Sequence, residues 1–143
     1  MHVLKEYPYK LLTKYPGMRP KDVVIWEEYI LNHPDSFLRV WYDVHIGDPK
    51  LLIPKQHTVQ DSGMYDVSRW CIDVLAETEN FLFVIEIKPD ALAGALGQAL
   101  AYRALLEKIQ QFAKPLHPVV LTDNVSPITR QAANLLKVSL LTP

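Results

Sequence analysis

Two neighbouring stretches in the middle of the chain are almost continuously apolar. Residues 70–76 and 81–88 contain only three polar side chains between them, and short apolar runs of this kind are typical of buried β-strands. The polar run between them predicts a tight turn and therefore a β-hairpin. Asp73, Glu86 and Lys88 interrupt the apolar pattern. Burying a charge without a partner is costly, so these three residues need partners, a metal ion or a functional cleft.

The length of the turn decides whether the three charged side chains meet. If Glu77 pairs with Asn80 around a two-residue loop, Asp73 lies opposite Val84, and Glu86 is its diagonal neighbour on the same face. One additional loop residue would place the two acids on opposite faces of the hairpin. We predict the even register, because only this parity brings the charged residues together.

The rest of the chain adds helices before and after this hairpin. The predicted elements are a helix from Asp22 (as N-cap) to Leu31, strands at 37–46 and 118–122, helices at 91–111 and 126–136, and a short strand at 138–141. This order, αβββαβ with one further αβ step, predicts an α/β (α+β) fold in which helices flank a central mixed sheet. We expect residues 1–143 to form a single domain.

The first predicted helix carries an acid on its apolar face. Its apolar arc consists of Val23, Val24, Trp26, Ile30 and Leu31. Glu27 falls inside this arc, and an acid on a buried face is as anomalous as Asp73 and Glu86 are on their strands. Either Glu27 joins their site, or its carboxylate pairs with a Lys or Arg at the edge of the core.

The long helix places Gln98 on its apolar side, with Tyr102 one turn further on. A glutamine on the core side must be hydrogen-bonded. Its partner is either a group of the candidate site or the edge of the sheet. For Tyr102, ordinary packing in the core is the alternative to a role in the site.

Two segments lack a regular pattern. Residues 1–20, rich in Tyr and Pro, predict an arm that either packs on the domain or contacts substrate. Residues 47–69 predict a flap or excursion loop, with Lys55 and Arg69 among its basic residues. This loop either touches substrate phosphates or is simply solvated.

Composition narrows the class of protein. The chain has 143 residues, of which 49% are hydrophobic and 22% charged, as in a soluble globular domain. The sequence shows no membrane-length apolar run and no signal peptide, and its one cysteine, Cys71, fits a reducing compartment, so we expect an intracellular protein. The net charge of −1 does not match the basic footprint of most nucleic-acid binders. Binding would then require a concentrated basic face, a small contact, or a dimer or partner.

The charged hairpin residues have the chemistry of a cation site. Two converging carboxylates, Asp73 and Glu86, suit Mg²⁺, and the backbone carbonyl of Ile87 offers a further oxygen. Lys88 would orient or deprotonate water, or neutralise charge on a phosphate. These are the parts of metal-assisted phosphodiester hydrolysis. Asp43 either joins this site, pairs with Arg39 or is solvated; we expect His45 at the surface and Cys71 as a small buried hydrophobe.

Asp73 on one strand, followed by Glu86-Ile87-Lys88 on the next, resembles the signature of the PD-(D/E)xK nuclease superfamily, which has a restriction-endonuclease-like fold. In that family the helix after the hairpin often carries a glutamine and an aromatic residue, here Gln98 and Tyr102. Ile72 stands where the signature has its proline.

The resemblance implies a Mg²⁺-dependent deoxyribonuclease, with Mn²⁺ as a substitute, that acts on DNA and leaves 5′-phosphates. It implies Asp73, Glu86, Lys88 and Gln98 as catalytic residues, and it makes Glu27 a third metal-binding acid. Lys55, Arg69 and Tyr102 are the candidate substrate-binding residues. A small phage or mobile-element enzyme fits the chain length. A homodimer would supply the two sites that cutting two strands needs. The alternatives are a Holliday-junction resolvase, a non-catalytic DNA-binding or assembly module of the same fold, and a structural protein with an internal ion triad.

Overall fold

The computed structural model describes residues 5–46, 70–109 and 112–143. These residues form three helices and five strands. In chain order they are α1 (Pro20–Asn32), β1 (Arg39–His45), β2 (Cys71–Glu77), β3 (Leu82–Ile87), α2 (Ala93–Ile109), β4 (Leu116–Leu121), α3 (Pro127–Leu136) and β5 (Ser139–Leu141). The predicted flap at 47–69, with Lys55 and Arg69, lies outside the described residues.

The five strands form one mixed sheet in the order β1-β2-β3-β4-β5. The β1–β2 and β2–β3 pairs are antiparallel, and the β3–β4 and β4–β5 pairs are parallel. Parallel neighbours need a crossover connection, and α2 and α3 provide the two crossovers. The predicted element order and the central mixed sheet are therefore confirmed.

Both faces of the sheet are covered. On one face, α1 packs through Trp26, which is fully buried, against alternate residues of the central strands such as Ile85 and Leu121. On the other face, α2 contributes Tyr102 and Leu106, and α3 contributes Ala133. Double coverage explains why the central strands are almost continuously apolar. It also means that a charge on a central strand lies between two packed layers.

The segment that precedes α1 packs on the domain. Tyr7 donates its backbone N–H to the carbonyl of Val40 at 2.8 Å, which adds a bridge to β1. Tyr15 is buried against the same core. In the described part of the predicted arm, the aromatic side chains thus serve packing. None of the helices in the described ranges is both long and apolar enough to cross a membrane.

The β2–β3 hairpin has the predicted parity but not the predicted loop. Glu77 pairs with Leu82 rather than with Asn80, so the loop contains four residues instead of two. Thr78 closes this loop, because its N–H donates to the carbonyl of Phe81 at 2.8 Å and its hydroxyl accepts the Phe81 N–H at 2.9 Å. A shift by two residues keeps every side chain on its predicted face. The predicted partner of Asp73, Val84, pairs instead with Leu75.

Helix α1 begins earlier than predicted and has a different buried face. Arg19 is its N-cap and Pro20 follows, whereas Asp22 is already inside the first turn. The buried residues are Asp22, Ile25, Trp26, Tyr29 and Ile30, and the predicted core residues Val24 and Leu31 are both exposed. The N-terminal aromatic residues pack against this face, a tertiary contact that helical periodicity does not contain. As a result, Asp22 points toward the sheet.

Helix α2 also differs from the prediction in its orientation. Its buried line runs through Ala95, Ala99, Tyr102 and Leu106, with Leu96 beside it. Gln98 lies off this line and is exposed. The prediction that Gln98 faces the core is therefore wrong, since α2 is mostly apolar and its sequence does not single out one face.

Candidate active site

Asp73 lies where the two hairpin strands separate. The β2–β3 pairing ends at Val74 and Ile85, and beyond that point the Asp73 carboxylate accepts the Ile87 N–H at 2.8 Å. The side chain thus takes the place of a backbone partner. In a strand, the N–H and C=O of one residue point to the same side, so the Ile87 carbonyl also faces Asp73. The role of this carbonyl as a metal ligand stays a prediction.

Glu86 is a buried acid on the central strand β3. It is 6% exposed, and its Oε1 atom is buried without a hydrogen-bond partner among the described groups. Burial, and then the neighbouring charge of Asp73, raise the pKa of Glu86 well above its ordinary value. Burial likewise raises the pKa of Asp73, although the hydrogen bond from the Ile87 N–H acts in the opposite direction and lowers it. The two carboxylates therefore sit together in a place that disfavours their negative charge.

A third acid approaches this pair from α1, and it is Asp22. Its side chain is 8% exposed, and burial raises its pKa while the charges of Arg19 and Lys88 lower it. The charge of Asp22 in turn raises the pKa values of both Asp73 and Glu86. The sequence pattern missed Asp22 because Asp at the start of a helix is commonly a cap.

Glu27, the predicted third acid, has another partner. Its carboxylate accepts a hydrogen bond from the Tyr15 hydroxyl at 2.8 Å. The charges that affect Asp73 and Glu86 come from other residues, Asp22 among them. Glu27 is only partly buried at its place about 1.4 turns after Asp22. The predicted alternative, a pair with a Lys or Arg at the core edge, is also wrong for the described residues, because the partner is the hydroxyl of the buried Tyr15.

Lys88 supplies positive charge at the open side of the acids. Its backbone N–H donates to Leu121 on β4 at 2.9 Å, which fixes the end of β3, while its side chain is exposed. The charge of Lys88 lowers the pKa values of Asp22, Asp73 and Glu86. Its ammonium makes no direct ion pair with any residue that the structure describes. The internal ion triad considered as an alternative would require such a pair.

Tyr102 of α2 closes the site on the opposite side from α1. It is 9% exposed, and burial together with the charges of Glu86 and Asp73 raises its pKa to about 12. Its ring centre lies 5.7 Å from that of Trp70, which is itself 42% exposed. Tyr102 therefore packs in the core, as its alternative interpretation predicted, and lies near enough to the two acids for their charges to act on its hydroxyl. Gln98, one turn earlier, is exposed.

Asp43 and His45 on β1 form a second polar group with Cys71, which lies two residues before Asp73 on β2. Asp43 is half-buried and lies 3.3 Å from His45, measured from Oδ2 to Nε2. Arg39, its predicted partner, binds Glu6 and Glu77 instead. Cys71 is half-buried rather than buried as predicted. The pKa of its thiol is raised to about 11, first by desolvation and then by the charge of Asp43 and the hydrogen bond with it.

Comparisons of the chain with known protein families, with curated proteins and with solved structures gave no match. The geometry of the site itself is thus the basis for inferring a function.

Proposed function

We propose that this protein is a Mg²⁺-dependent deoxyribonuclease whose active site consists of Asp73, Glu86 and Lys88. The observation that carries the proposal is the Oε1 atom of Glu86, which is buried and without a hydrogen-bond partner among the described residues, next to the half-buried carboxylate of Asp73. A buried carboxylate oxygen normally has a donor. A bound cation would satisfy this oxygen and offset the repulsion between the two acids.

The charge balance favours a cation over a purely structural role. Three acids face the centre of the site, and the basic groups that act on them are Lys88 and Arg19, both with exposed side chains. The hydrogen bond from Ile87 engages one oxygen of Asp73. Asp73 and Glu86 would then hold the ion, with the Ile87 carbonyl as a candidate third oxygen and Asp22 as an outer negative charge.

Mg²⁺ matches this all-oxygen donor set and, when bound, polarises a phosphate and lowers the pKa of water. The protein's own groups have distinct tasks. Lys88 approaches from solvent and would neutralise a phosphate oxygen or orient the attacking water. Tyr102 and Trp70 form an apolar wall on one side of the acids. A DNA phosphate entering beside Lys88 would thus meet the acids at the carboxyl end of β3.

Inline attack that expels the 3′ oxygen would leave 5′-phosphate ends, as the resemblance to PD-(D/E)xK nucleases implies. DNA remains the proposed partner, and Mn²⁺ the proposed substitute for Mg²⁺. An intracellular location would suit this activity. A homodimer, which would supply one site for each strand, is the proposed assembly for duplex cleavage, because a single chain has a net charge of −1.

The activity test uses the full chain with supercoiled plasmid, linear duplex, single-stranded DNA and a four-way junction, each with Mg²⁺, Mn²⁺ or EDTA. We expect metal-dependent cleavage that Glu86→Gln and Asp73→Asn abolish, while Glu28→Gln, a matched change at an exposed glutamate of α1, cleaves normally. Preferential cutting of the junction would select the resolvase alternative. No cleavage, together with unchanged DNA binding in the acid variants, would favour a non-catalytic binding module.

A second comparison separates the two candidate third acids. We expect Asp22→Asn to lower the rate by about 10- to 100-fold, as for other outer groups of metal sites. Glu27→Gln should leave the rate near that of the wild type, because its carboxylate contacts Tyr15. The reverse result would restore Glu27 as the third acid.

A further inference from the structure

Three chemically different metal-binding side chains meet beside the proposed nuclease site. One ligand atom each from Asp43, His45 and Cys71 can be chosen so that all three lie within 4.8 Å of one another. The Asp43 carboxylate approaches His45 to 3.3 Å and shares a hydrogen bond with the Cys71 thiol. In the described residues, no other group of three such side chains comes this close together.

The register of β1 and β2 builds this group. His45 pairs directly with Cys71, and direct cross-strand neighbours have their Cβ atoms about 4.5–5.5 Å apart. The same register places Asp43 opposite Asp73. These two residues do not pair, although the residues on either side of them do, as Tyr42 with Val74 and Val44 with Ile72. The buried β1 residues before Asp43, Val40 and Tyr42, belong to the core on the α1 side, whereas Val44, directly after it, belongs to the core on the α2 side. The strand thus changes its buried face at Asp43.

The position of the Asp43 carboxylate is fixed by the backbone around it. Asp43 has a φ of 52°, in the left-handed region that aspartate tolerates better than most residues. Gly17 lies against it, and a Cβ at Gly17 would overlap the Asp43 side chain. The carboxylate therefore occupies space that only glycine leaves open, and it is held toward the other two ligands.

We propose that Asp43, His45 and Cys71 bind a thiophilic divalent cation of the zinc class, at a site separate from the Asp73–Glu86 pair. One thiolate, one imidazole and one carboxylate are ligands that Zn²⁺ accepts, and three protein ligands leave a fourth position for water or substrate. The sulfur disfavours Mg²⁺ and Ca²⁺, which prefer oxygen. All three side chains are half-buried, so solvent reaches the group.

Binding exchanges one proton for the cation. The thiol of Cys71 releases its proton to solvent, and its sulfur bonds to the cation, which also binds the Asp43 oxygen that had accepted the S–H hydrogen bond. Asp43 is the carboxylate that acts most strongly on the thiol, through its charge and its hydrogen bond. A cation here would offset that negative charge and would join the edge strand β1 to β2. The inference uses none of the ligands proposed for Mg²⁺, so it does not depend on nuclease activity.

Co²⁺ is the probe for this site, because a cobalt–thiolate bond has a charge-transfer absorption in the near ultraviolet. The full-length protein, metal-free and kept reduced with a phosphine, is titrated with Co²⁺ and then with Zn²⁺. We expect one equivalent of Co²⁺ to produce the band, Zn²⁺ to abolish it, and excess Mg²⁺ to leave it unchanged. Absence of the band at one equivalent in the wild-type protein would overturn the proposal.

Variants distinguish a built site from a cysteine that binds metal alone. Cys71→Ser should lose the band, and His45→Gln and Asp43→Asn should each weaken Co²⁺ binding at least about tenfold. His33→Gln, at an exposed histidine after α1, is the matched control and should bind Co²⁺ normally. Wild-type affinity in both His45→Gln and Asp43→Asn would refute the three-ligand site, even if Cys71→Ser fails to fold.

Glu86→Gln tests whether the two proposed sites are separate. Retention of the cobalt band in this variant supports a distinct site, whatever its DNA cleavage activity. Loss of the band would show that the acids and the Asp43 group form a single site, and would overturn the inference as stated.

Discussion

Replacing Glu86 with glutamine should make the metal-free protein more stable at neutral pH. Glu86 is 6% exposed, and burial and the charge of Asp73 raise its pKa from 4.5 to about 9. Between these two values, the folded state holds a proton that the unfolded chain releases. Rising pH therefore favours unfolding across this window, and below it both states are protonated and Glu86 has no effect. Glutamine keeps the shape of the side chain but cannot ionise.

The size of the effect follows from the proton balance. One proton held only by the folded state costs about 1.4 kcal/mol of unfolding free energy for each pH unit. Between about pH 5.5 and about pH 7.5, the wild-type protein should thus lose about 2 to 3 kcal/mol through Glu86. Burial also raises the pKa of Asp73, which adds to the loss at the lower end of the window.

Urea unfolding in EDTA at these two pH values measures the difference. We expect the wild-type free energy of unfolding to fall with pH, and that of Glu86→Gln to fall much less. Glu28→Gln, on the exposed side of α1, should follow the wild type. Parallel losses in the wild type and Glu86→Gln would refute the reasoning, because they would mean that folded Glu86 ionises like an ordinary glutamate. A variant that is more stable yet inactive would also separate function from folding.

Two further substitutions test how the fold supports the site. Gly17→Ala should destabilise the protein by more than about 1 kcal/mol, because Gly17 has a φ of 67° and its Cβ would overlap Asp43; unchanged urea unfolding would contradict this. Ser126→Ala should cost about 1 kcal/mol and lower the melting temperature by about 4 °C, since the Ser126 hydroxyl accepts the Thr129 N–H at the start of α3; a melting curve identical to wild type would disprove the cap.

Local patterns were enough to predict the hairpin acids. Asp73 and Glu86 stand out because each interrupts an apolar strand, and a strand's period of two fixes which residues share a face. The parity of the hairpin followed from the requirement that the charges meet. The loop length did not, because the side-chain hydrogen bonds of Thr78 favour a four-residue loop with the same parity.

The helices show where such reasoning stops. Helical periodicity describes an apolar stripe, but α2 is apolar over much of its surface, so the sequence alone did not reveal that Gln98 faces solvent. On α1, the buried face was chosen by aromatic residues from the N-terminal segment. That choice turned Asp22 toward the site and left Glu27 with Tyr15. Packing between elements, rather than propensity within them, decided these positions.

The sequence by itself determined the order of the elements, the mixed sheet that this order requires, and the charged triplet of Asp73, Glu86 and Lys88. These features depend on residues that are close along the chain. Only the tertiary structure brought in Asp22 and assembled Asp43, His45 and Cys71. The latter residues meet through strand register and the left-handed backbone at Asp43. Such contacts cannot be derived from the sequence pattern of one element, because they depend on how distant elements pack together in the core.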